Sequence, residues 1–125
     1  MKKIELSHSI IVLRDDGILE LHTNSEHEYA IDDVIENVET FGKLTGGKKA
    51  PVLIIGGAFT SVSKEARSFM ATHESLKYSL VEAFLLNSLA QKLLINFYIK
   101  FDKPLVPTKV FNNKDEAIAW LSTFL

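Results

Sequence analysis

The chain has no cysteine among its 125 residues. Disulfides, thiolate nucleophiles and cysteine–metal sites are excluded together, and a reducing, cytoplasmic setting is the expectation. Proline and glycine are scarce, at three and six residues, and no linker or low-complexity stretch interrupts the chain. Gly46-Gly47 and Gly56-Gly57 are isolated pairs, too short to cradle a nucleotide. Charge of neither sign dominates: 14 basic residues face 16 acidic ones, with no run of Lys or Arg. Phosphate-backbone binding then loses its main driving term, which argues against a nucleic-acid partner. Long hydrophobic runs are missing too. Pro51 to Ile55 and Ala83 to Leu86 stop after five and four residues, far short of the ~20 that a membrane span needs. Lys2 and Lys3 have no apolar run behind them of signal-peptide length.

What is present suits one soluble domain: 46% apolar residues, 24% charged, and enough length for a real core. Ser9 to Leu13 and Ile18 to His22 are rich in Ile, Val and Leu and flank Arg14-Asp15-Asp16-Gly17. Asp-Gly between apolar runs is a hairpin signal, because glycine accepts a positive φ without penalty. From Asp32 the period changes, and Val34, Ile35, Val38 and Phe41 form the stripe of an amphipathic helix that Gly46-Gly47 ends. Pro51 to Ile55 reads as a strand buried on both faces. A second helix is predicted from an N-cap at Ser63, with Val62, Ala66, Phe69, Met70 and His73 on one stripe.

Lys77 to Leu86 is the next predicted strand, followed by a helix capped by Asn87 or Ser88 and a strand around Val106 to Phe111. Asn113, three residues before Glu116, opens a last helix lined by Ala117, Ile118, Leu121 and Phe124. The order β-β-α-β-α-β-α-β-α predicts a single α/β domain over residues 1–125. Its mixed sheet is mostly parallel with an antiparallel N-terminal hairpin, and helices pack on it.

The third helix is apolar on two sides. At 100° per residue, Leu86, Leu89, Ala90, Leu93, Leu94, Phe97 and Phe101 share a wide stripe, enough to dock the helix on the sheet. Ile95, Tyr98 and Ile99 fall outside it and are read as an outward patch, a candidate protein interface.

Three segments also carry a resemblance. Leu44 to Leu53, Ser61 to Arg67 and Asn96 to Phe111, closed by Ala119-Trp120-Leu121, resemble a small group of uncharacterised bacterial proteins. That group is placed with STAS domains, the fold of anti-sigma-factor antagonists, and with the CRAL-TRIO lipid-transfer domains. The resemblance implies a STAS-like fold. Working antagonists carry Asp, then a phosphorylatable Ser or Thr, then Gly at the turn after the third strand. The corresponding turn here, Gly56 to Ser63, has neither the Asp nor the following Gly.

That turn is still the best local candidate for an anion or a phosphoryl group. Gly56 and Gly57 allow close approach to the backbone, Lys64 and Arg67 sit where a helix dipole prefers acids, and Thr60 and Ser61 are better acceptors than the capping Ser63. Phe59, Phe69, Met70, Phe84, Phe97 and Phe101 supply material for an apolar cavity. His22 and His27, near Glu26 and Glu28, lie five residues apart across a loop, which is not a metal-ligand spacing. His8 reads as surface and His73 as a core histidine. No catalytic, metal or cofactor motif is found, so an enzyme using His22 or His73 ranks last. The leading expectation is a non-enzymatic regulatory or scaffolding module that binds a protein partner or itself, as a homodimer. The alternative is a carrier or sensor of a small apolar or lipid-like ligand.

Overall fold

Gly17, at φ 89°, turns the hairpin predicted around Asp16-Gly17, with Arg14 N donating to Ile18 O at 2.9 Å. The computed structural model describes residues 1–125. Around that turn three antiparallel strands are laid down: β1 (Lys2–Glu5), β2 (Ser9–Leu13) and β3 (Leu19–Thr23). A two-residue strand, β4 (Glu28–Tyr29), leads into α1 (Ile31–Thr45). As the sequence requires, α1 ends where Gly46 adopts the left-handed conformation at φ 66°. Then follow β5 (Ala50–Ile55), the short β6 (Ser61–Val62), α2 (Lys64–Met70), β7 (Ser79–Leu85) and α3 (Leu89–Phe97). A single π-helical turn, Tyr98–Asp102, extends α3 before β8 (Thr108–Phe111) and α4 (Lys114–Ser122) close the chain. Ser63, Ser88 and Asn113 cap their helices, each side-chain oxygen accepting from the backbone N–H three residues on.

The six main strands stand in the order β1-β2-β3-β5-β7-β8, antiparallel up to β3 and parallel beyond it. This is the mixed α/β sheet with an antiparallel start that the periodicity predicts. β1 and the β4–β6 pair, joined in parallel, are additions to the predicted order. Because the parallel part grows in one direction only, right-handed crossovers put all three connecting helices on one face.

The packing agrees. Phe41 and Leu44 of α1 meet Leu19, Leu21 and Val52. Ile95 and Tyr98 meet Phe84 and Leu86, which share that face by strand alternation. Ala117 and Leu121 of α4 instead cover Leu53, Val81 and Ala83 on the opposite face. Lys114 fastens α4 by donating to Glu20 Oε1 at 3.2 Å, beside Arg14 and His22. Burial would raise the Glu20 carboxyl, but these hydrogen bonds outweigh it and hold it below the ordinary range. No helix is long and apolar enough to cross a membrane.

Two expectations fail locally. Ile35 is exposed, although the period of α1 predicts it on the core stripe. α2 stops at Met70, so His73 lies exposed beyond it and is not a core histidine.

Candidate functional site

A sheet that never reverses direction has no switch-point crevice of the usual doubly wound kind. Its opening lies elsewhere, between the sheet and the three helices packed on one face. A cavity of about 100 Å³ is walled there by Leu21, Ile54 and Phe84 from the sheet, Val38 and Phe41 from α1, and Ile95 from α3. Twelve of its nineteen lining residues are hydrophobic, so the walls alone would suit an apolar guest.

Its two ends differ. Strands β3, β5 and β7 run one way and α1 and α3 return the other, so Thr23, Gly56 and Gln91 share a level at the strands' C-terminal ends. These residues and Thr60 are partly exposed and form the mouth. The mouth is stitched together. Gly57 N donates to Thr23 Oγ1 at 2.7 Å, Thr60 Oγ1 to Asn24 O at 2.6 Å, and Gln91 Nε2 to the carbonyls of Gly57 and Thr60 at 2.9 and 3.1 Å. Position 57 must be glycine, since a Cβ there would stand 2.6 Å from the Thr23 carbonyl oxygen.

The other end is buried and polar. Asn37, Ser75 and Glu82 line it, all less than a tenth exposed. Asn37 Oδ1 has no hydrogen-bond partner. Glu82 accepts from Ser79 Oγ at 3.1 Å, but burial dominates and pushes its carboxyl up to about 7. Behind it the hydroxyl of Tyr98 is buried and also unpartnered, raised by burial and by the nearby Glu82 and Asp102.

The predicted site residues are distributed differently from expectation. Ile95 and Tyr98 are 5% and 0% exposed and Ile99 is half-buried, so the expected interface patch is the inner face of α3. Of the stripe expected to dock on the sheet, Leu86 is buried and Leu94 lines the cavity, but Leu89, Leu93, Phe97 and Phe101 point to solvent, at 72%, 61%, 45% and 58% exposed. The physical reason lies beneath the helix, where Ala71, Phe84 and Leu86 receive Ile95 and Tyr98, with the Phe84 and Tyr98 rings edge-on at 6.2 Å. Of the expected cavity aromatics, Phe84 and the companion Met70 line the opening. Phe59, Phe97 and Phe101 are exposed.

At the turn Gly56 to Ser63 and the helix start after it, several of the expected polar side chains are engaged within the fold. Thr60 is engaged with Asn24, Ser63 with the Ala66 N–H, and Arg67 with Asp102 at 2.8 Å. Ser61 lies exposed in β6 and Lys64 is exposed at the start of a seven-residue helix. What the turn does provide, through Gly56 and Thr60, is the rim of the cavity.

His8 is another correction. It is buried, not superficial, because β4 and α1 cross over it. Its Nδ1 bonds Ser9 Oγ at 2.8 Å and its Nε2 bonds Glu36 at 2.7 Å, while its carbonyl accepts from Tyr29 OH. His27 stacks on it at 6.0 Å and bonds Asp33 at 2.9 Å. The order Ser9–His8–Glu36 imitates a nucleophilic triad, but Ser9 is fully buried, so no substrate reaches it. The cluster locks the hairpin to α1.

Residues 11–125 match the model of a family described as Domain of unknown function (DUF7793). The chain belongs to that family. No curated protein and no solved structure matches it. Because the family model begins within β2 and runs to the last residue, the cavity walls, its mouth and Glu82 all fall inside the matched region.

Proposed function

We propose that this domain is a carrier or sensor of a small apolar ligand held between the sheet and α1, α2 and α3. The observation that carries this reading is the cavity itself. Protein interiors are close-packed, and the voids they leave are few and small. An engineered apolar cavity of about 150 Å³ is enough to hold benzene, so about 100 Å³ behind an open mouth is room for a compact guest. The group that the chain resembles is placed with the CRAL-TRIO lipid-transfer domains as well as with STAS domains, and the first placement suits a carrier. Native mass spectrometry of the chain purified from its own cell, beside the denatured mass, tests it. The expected result is an adduct lost on denaturation and lost again in Val38→Phe, which fills the cavity. A bare native mass, together with no uptake of a fluorescent apolar probe, would sink the reading.

A second reading rests on a different observation. Leu89, Leu93, Phe97 and Phe101 recur every four residues along the outside of α3, and each is worth ~1.5–3 kcal/mol when fully covered. An i, i+4 ridge packs into the grooves of an identical ridge, the commonest way two helices cross. The partner proposed for it is a second copy of this chain, giving the homodimer through α3's outer face rather than its inner one.

A further inference from the structure

We propose that the buried end of the cavity takes the ammonium group of a small primary amine, whose apolar body lies against Phe84 and α1. The inference rests on the carrier reading above and adds the chemistry of the guest's polar end. Three observations lead to it.

First, the Glu82 carboxyl at that end is short of hydrogen-bond donors. Asn37 Oδ1 is buried without a donor, and the Glu82 carboxyl receives a hydrogen bond from Ser79 alone. A buried acceptor without a partner is costly, so a guest that brings donors is favoured over one that brings none. An ammonium group brings three, of which the Glu82 carboxylate can accept more than one. An alcohol brings a single O–H.

Second, the charge is one-sided. No Lys, Arg or His lines the cavity, and Glu82 is its only acidic side chain. A carboxylate or phosphate guest would meet an acid with no compensating cation. A primary amine, protonated at neutral pH as a lysine is, supplies the counter-charge that Glu82 lacks. The fatty-acid and phospholipid guests suggested by the lipid-like reading therefore fit this end poorly.

Third, the walls suit such a guest. Phe41 and Phe84 border the opening, and aromatic faces attract cations while aliphatic neighbours cover the body.

The test is isothermal titration of the full chain at neutral pH with three probes of equal chain length: n-butylamine, n-butanol and n-butyrate. Butylamine is expected to bind about tenfold or more tighter than butanol, and Glu82→Gln is expected to erase that advantage. Butyrate is expected not to bind detectably. If butyrate or butanol matches butylamine, or if Glu82→Gln binds the amine as wild type does, the amine assignment falls and the carrier reading stands. If none of the three binds, both fall. Should Glu82→Gln not fold, Asn37→Leu reads the same end from α1. An unchanged amine preference in it likewise overturns the assignment.

Discussion

Arg67 Nε donates to Asp102 Oδ2 at 2.8 Å, tying α2 to the π-helical turn that ends α3. The guanidinium also lies 4.9 Å from the centroid of the Phe97 ring, and both members of the ion pair are more than four-fifths buried. The pair holds two walls of the cavity in register. Removing one partner leaves the other charge half-desolvated, so Arg67→Met and Asp102→Asn are each expected to destabilise the fold by about 1–3 kcal/mol. The double variant should cost less than the sum of the two. Urea unfolding of the four proteins checks this, and strictly additive losses would show the pair to be uncoupled.

Glu82 makes stability depend on pH in an unusual direction. Burial pushes its carboxyl from 4.5 up to about 7 in the folded protein. The folded state therefore holds the proton more tightly than the unfolded chain does. The contribution of the neutral acid is whole below about pH 4.5 and is lost as the pH rises through 7. Glu82→Gln should leave stability at acid pH nearly unchanged and raise it at pH 8 by about 3 kcal/mol. Chemical denaturation of both proteins at pH 4, 6 and 8 measures the difference. A gap that does not widen with pH would contradict the assignment.

The two faces of α3 should respond oppositely to charge. Ile95 lies in the core at 5% exposure, so Ile95→Glu is expected to cost upward of ~3 kcal/mol and to unfold much of the population. Leu93, 61% exposed, should accept Glu with a change in stability within about 0.5 kcal/mol. If the outer ridge joins two copies, Leu93→Glu also halves the mass seen in sedimentation equilibrium. A wild-type monomer at every concentration would remove the self-association reading and leave the stability contrast intact.

The sequence could be read wherever one local cause decides the outcome. Gly17 and Gly46 force their turns, Ser63 and Asn113 cap their helices, and the unbroken run Pro51 to Ile55 belongs to a strand with partners on both sides. The orientation of α3 was not readable in this way. Two apolar stripes compete there, and the choice falls to Ala71, Phe84 and Leu86, which are distant in sequence or on another element. The burial of His8 is not local either, since what buries it begins some twenty residues later.

A cavity leaves no periodic trace, because it forms where layers fail to meet. It did leave one clue. Glu82 is the only charged residue in Ser79 to Leu86, and an acid inside a buried strand needs a reason to be there. Asn37, on the inner stripe of α1 between Val34 and Val38, gave the same signal more faintly.

The main strands stand side by side in the order in which they occur along the chain. During synthesis each new strand therefore emerges next to a partner already made, and none waits for a later one to be threaded between its neighbours. The sheet can be assembled by addition at a single advancing edge. A chain halted at any crossover is left with a narrower version of the same sheet and one raw edge, rather than a sheet with a gap in its middle. The cavity exists only once α3 supplies its last wall, before β8 and α4 are added.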